Sequence, residues 1–101
     1  MELAVRVSAV ADELVKHRRF VLADQIQRAA NSVPSNIAEG HGRLTPRDWR
    51  HFLSMARGSL YEVETQLEIV TRTGFERSLD EERTLIARIG CGLSKMIKAL
   101  E

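Results

Sequence analysis

Apolar residues recur with a helical period along almost the whole chain, and no segment alternates as a strand would. Leu3, Val7, Val10 and Leu14 form one stripe, with Arg6, Asp12, Glu13 and Lys16 lying off it. The tetrad Lys16-His17-Arg18-Arg19 then suits a helix end or a short turn. A second stripe, Leu22, Ile26, Ala29, Val33 and Ile37, predicts a helix ending near Gly40-His41-Gly42, where glycine can take a left-handed cap. Pro34 falls inside it and removes the bond to the Ala30 carbonyl. The stripe keeps its phase through Pro34, which predicts a kinked continuous helix.

A third helix has a clear start, with Thr45 as N-cap, Pro46 at the first position and Asp48 three residues after the cap. Its stripe is Trp49, Phe52, Ala56, Leu60, Val63, Leu67 and Val70, and Gly74 marks its end. Ser78-Leu79-Asp80-Glu81 reads as a capping box. It opens a fourth helix that buries Ile86, Ile89, Leu93, Met96 and Leu100. Short connections make consecutive amphipathic helices antiparallel, so residues 1–101 are expected to form one all-α, up-down four-helix bundle.

Composition changes this picture little. A chain of 101 residues with 44% hydrophobic residues supports one core and can fold without metal or disulfides. Cys91 has no partner for an internal disulfide, and its helix predicts an inert core thiol. Met1–Leu14 carries too many charges for a signal peptide, and no apolar run approaches the roughly twenty residues of a membrane span. These features predict a cytoplasmic protein without a membrane partner. Five aromatic residues are too few for a base-stacking platform.

Charge is more informative in its distribution than in its total. The net charge of +1 combines a central segment, residues 16–57, at +5 with a remainder at −4. On the third helix, Arg47, Arg50, Ser54, Arg57 and Tyr61 are expected opposite the core stripe, with Glu64 and Glu68 continuing that face. Cations near a helix N-terminus and anions toward its C-terminus oppose the helix dipole. Such an order invites a compensating partner. A nucleic-acid backbone on Arg43, Arg47, Arg50 and Arg57 is one candidate, and the acidic half of a neighbouring subunit in a head-to-tail ring is another. An ordinary solvated helix face remains the third reading.

A polar set flanks the second and third helices. Asn36, Glu39, Ser59 and Glu62 are expected to form a structural network, buried or interfacial, with Arg28 or Arg43 as candidate cations. The rival reading makes Glu39 and Glu62 a carboxylate pair for acid–base chemistry or metal binding, although no nucleophile or His ligand accompanies them. No Walker loop, Cys pair or Glu-x-x-His motif occurs, so neither cofactor nor metal is expected. Small all-helical ribonucleases use an Arg and a His with four to six residues between them, whereas Arg47 and His51 have only three between them.

The stretch Gln25-Ile26-Gln27-Arg28-Ala29-Ala30-Asn31-Ser32-Val33-Pro34-Ser35-Asn36-Ile37-Ala38-Glu39-Gly40 carries a resemblance. With Arg43 and Phe52-Leu53-Ser54-Met55-Ala56-Arg57-Gly58-Ser59-Leu60-Tyr61-Glu62, it resembles the four-helix-bundle family named for the 23S rRNA intervening-sequence protein. The diversity-generating retroelement accessory protein is a relative in that group. The resemblance implies a bacterial bundle, commonly a homopentamer, whose relatives are thought to bind nucleic acid, and it implies no catalytic residues. The expected function is therefore a non-enzymatic homo-oligomer binding RNA or DNA. The alternative is a protein-binding adaptor, for example one partnering a reverse transcriptase.

Overall fold

A computed structural model describes all 101 residues as four α-helices without strands. The helices are α1 (Glu2–Lys16), α2 (Phe20–His41), α3 (Pro46–Arg72) and α4 (Asp80–Ala99). At about 1.5 Å per residue, α3 alone spans roughly 40 Å, close to the 45 Å long axis of the molecule. Side-chain pairs set the directions. Arg19 at the start of α2 meets Thr73 beyond the end of α3, while Gly40 at the end of α2 lies against Trp49 and Phe52. Arg50 reaches Leu100, and Arg83 reaches Glu68 and Thr71. Thus α3 runs antiparallel to both α2 and α4.

The core follows the helical stripes. Leu3, Val7, Val10 and Leu14 of α1 are buried, as are Ile26, Ala29 and Val33 of α2. On α3, Ala56, Leu60, Val63, Leu67 and Val70 are buried together with Leu53, while Trp49 and Phe52 are half-buried. The stripe of α4 is displaced by one residue near its end: Ile97 is buried, and Met96 is 40% exposed. Cys91, expected in the core, is exposed. It falls on the side of α4 turned away from Ile86, Leu93 and Ile97.

The helix ends show what local chemistry decides. Thr45 Oγ1 accepts the Asp48 N–H at 3.1 Å, so the α3 cap forms as its residues dictate. Gly74, at φ +92°, takes the left-handed conformation after α3. Gly42 does not; its φ is −83°, and α2 closes without a left-handed glycine. Gly40 serves packing instead. A Cβ there would lie 2.9 Å from both Phe52 Cβ and Trp49 Cδ1, so the missing side chain lets α2 and α3 approach.

One further expectation changes. The capping box at α4 does not close: Ser78 Oγ accepts the Asp80 N–H, the helix starts one residue later, and Glu81 pairs with Arg6 at 2.7 Å. The turn after α1 uses Arg18 at φ +62°, a conformation that L-residues rarely adopt. Helix α2 runs unbroken through Pro34.

Candidate nucleic-acid interface

Arg43, Arg47, Arg50 and Arg57 occupy three different environments. Arg43, after α2, pairs with Glu39 at 2.9 Å and stacks over the Phe52 ring at 4.5 Å. Arg47 is exposed on the first turn of α3 and has no carboxylate within 4 Å. Arg50 and Arg57 are half-buried along the seam between α3 and α4. Arg50 Nη1 donates to the Leu100 carbonyl at 3.4 Å, and Arg57 Nη1 donates to Ser94 Oγ at 3.3 Å.

These seam bonds correct the expectation drawn from the dipole. The cations at the start of α3 oppose that helix's own dipole, but α4 runs the other way and presents its C-terminal carbonyls beside them. The conflict is largely resolved inside the subunit. The same holds at the other end, where Glu68 bonds Arg72 at 2.9 Å and Arg83 at 3.3 Å. The bond from Arg72, with Arg83 nearby, holds the Glu68 carboxyl below its ordinary range. An outside partner is not needed to compensate α3.

What the hairpin leaves open is a surplus of positive charge at one end. The antiparallel arrangement brings the last two turns of α4 beside the first half of α3, adding Lys95 and Lys98, both exposed, to Arg47, Arg50 and Arg57. None of these five has a carboxylate within 4 Å. Counting charge along the chain misses the two lysines, because they belong to the segment with the negative balance. The detectable signal is the antiparallel pairing itself, which places α4's C-terminal cations beside α3's N-terminal ones.

The polar set separates into parts. The Ser32 and Ser59 hydroxyls share a 2.8 Å hydrogen bond, and Asn36 Nδ2 donates to both the hydroxyl and the carbonyl of Ser32. Asn36 and Ser59 thus meet through Ser32, tying α2 to α3. Glu39 and Glu62 lie outside this network and are exposed; Glu39 bonds only Arg43, and Glu62 bonds nothing. With Ser32 opposite Ser59, the helical rise separates the two carboxylates by roughly 15 Å along the bundle. They do not form an acid–base pair. No group of three or more His, Cys, Asp or Glu residues converges.

One carboxylate has no signature in the sequence pattern. Glu82, on the first turn of α4, is 2% exposed. Its Oε2 lies 3.4 Å from Arg77 Nη1, while Oε1 is buried without a partner. Arg77 also approaches Glu13 at 3.6 Å and the Phe75 ring.

No helix is long and apolar enough to cross a membrane. The family model described as 23S rRNA-intervening sequence protein matches residues 1–98. A solved structure of a protein of unknown function from the S23 ribosomal protein family of Bacteroides thetaiotaomicron VPI-5482 is similar at 28% identity. That match covers 98% of this chain and 88% of the other, with a TM-score of 0.72. A search of curated proteins finds no match.

Proposed function

Because the chain belongs to the 23S rRNA-intervening sequence protein family, we propose that it is a non-enzymatic homo-oligomer that binds structured RNA or duplex DNA through its basic end. One observation carries this reading: Arg47, Arg50, Arg57, Lys95 and Lys98 gather at one end of the α3–α4 hairpin without carboxylate partners. Phosphate backbones are recognised by such unpaired cations, with affinity from counterion release and no need for base contacts. The scarcity of aromatic residues favours this mode over stacking on unpaired bases. Several basic ends in one oligomer act together, because each subunit bound raises the effective concentration of the next.

The test is a gel shift of the intact oligomer with structured RNA and with duplex DNA over a range of salt. A salt-sensitive shift with either supports the reading, and loss of that shift on reversing Arg47, Lys95 and Lys98 assigns it to the basic end. An oligomer that binds neither nucleic acid at low salt contradicts the reading. The protein-binding adaptor, with a reverse transcriptase as the partner to try first, then takes its place.

A further inference from the structure

Between the α1–α2 turn and the loop after α3 lies a cavity of about 380 Å³, within the roughly 300–1,000 Å³ range of small-molecule sites. Both of its walls are set by the fold. On one, the Arg19 N–H donates to the Leu14 carbonyl at 2.8 Å, with Arg18 left-handed in the turn. On the other, the Thr73 N–H donates to the Ile69 carbonyl at 3.0 Å, and Gly74 follows at φ +92°. Arg19 Nη2 joins the walls by donating to the Thr73 carbonyl at 3.0 Å. The cavity is therefore formed without a ligand.

Its lining holds opposite charges that do not meet. Glu13, His17 and Arg19 line it from one side and Glu76 from the other. Neither carboxylate lies within 4 Å of the Arg19 guanidinium or the His17 ring. Glu13 pairs only with Arg77, at 3.6 Å. At an end where Glu68, Glu81 and Glu82 are each held by an arginine, Glu76 is the exception and has no cation. Arg19 makes no side-chain bond beyond the one to Thr73.

Opposite charges that share a cavity and stay apart suit a ligand carrying both. A lone anion would meet two carboxylates, and a lone cation would meet Arg19 on one side with Arg77 behind Glu13. Leu14 and Phe75 add apolar surface to the lining, which suits a carbon skeleton between the two charged ends. We propose that this cavity binds a small zwitterion of the α-amino-acid class, with its carboxylate on Arg19 and its ammonium on Glu76. The site lies at the opposite end of the bundle from Arg47, Lys95 and Lys98, and it does not depend on nucleic-acid binding.

The test is calorimetric titration of the full chain with L-leucine, L-phenylalanine, L-lysine and L-glutamate. Concentrations run to roughly 10 mM, because so small a ligand is expected to bind near the millimolar level. At least one amino acid should bind saturably, at one site per subunit. Its amide, which lacks the anion, and its N-acetyl form, which lacks the cation, should each bind about tenfold more weakly or worse, the worth of one charge-assisted hydrogen bond. Glu76→Gln should weaken the amino acid to the same degree but leave the N-acetyl form unchanged, a split that a merely structural role would not produce. The melting temperature of the free variant should match that of the wild type, since Glu76 is exposed and pairs with nothing. The proposal is overturned if none of the amino acids binds saturably, if the blocked forms bind as well as the parent, or if Glu76→Gln binds the amino acid as tightly as the wild type.

Discussion

The two ends of the α3–α4 hairpin handle charge in opposite ways. At the end formed by the close of α3, the following loop and the start of α4, the charges are largely consumed within the subunit. Glu68 is held by Arg72 and Arg83, Glu82 by Arg77, and Glu81 by Arg6. At the other end, Arg47, Lys95 and Lys98 have no carboxylate partner, and Arg50 and Arg57 reach only a carbonyl and a hydroxyl. Helix dipoles favour acidic residues at the start of α4 and basic residues at its end. Along α3 the order is reversed, and it is tolerated because its neighbour runs the other way. One end is therefore a closed structural junction, and the other retains charge for something outside.

The contrast can be broken from either side. The largest effect is expected from reversing Arg47, Lys95 and Lys98 together to glutamate. Binding to duplex DNA at low salt should fall on the order of a hundredfold or more. Each exposed reversal should change unfolding stability by only about 0.5 kcal/mol, which denaturant titration checks. Next comes the acidic end. Arg77→Ala strands the buried Glu82 carboxylate and should cost about 2–4 kcal/mol, toward the lower side of a fully buried pair because Arg77 is itself 41% exposed. Thermal melting reads this as a drop of roughly 4–8 °C per kcal/mol. Adding Glu82→Leu should recover most of the deficit, since an apolar side chain needs no counterion there.

Smaller effects sharpen the comparison. Gly58→Ala should raise subunit stability by about 0.5–1 kcal/mol, since the site has room for the methyl group. Arg50→Ala should cost about 0.5–1 kcal/mol by removing the bond to the end of α4, separating a seam role from a binding role. The smallest is a pH effect at Glu68. Its folded-state value is depressed, so the associated stability is present above the ordinary carboxylate value of 4.5 and is lost as pH falls through the folded one. Glu68→Gln should flatten that part of the acid limb in a series of melts and leave the neutral-pH slope unchanged.

Features governed by local periodicity are legible in the sequence. The α1 stripe, the Thr45 cap and the Gly74 terminus depend on residues within a turn or two of each other, and each is found where the pattern places it. Features set by a neighbouring helix are not legible in this way. Periodicity gives the face opposite the core, but it does not say which flank another helix covers, and so it points Arg50 and Arg57 outward rather than onto a seam. Lys95 and Lys98 escape it because they are about forty residues from the arginines they join. Glu39 and Glu62 look like partners of one network because both border the apolar stripe. The network closes instead through Ser32, a short side chain at the point where α2 and α3 come close enough for two hydroxyls to meet.

The salt dependence of duplex DNA binding tests the division between the ends most directly, measured for the intact protein and for variants at each end. Reversing Lys95 and Lys98 to glutamate should reduce the slope of log affinity against log salt by about 0.9 for each phosphate no longer neutralised. Reversing Glu62 and Glu64 to lysine should not reduce it. Equal slopes for the intact protein and the Lys95/Lys98 variant, at unchanged affinity, would contradict the account.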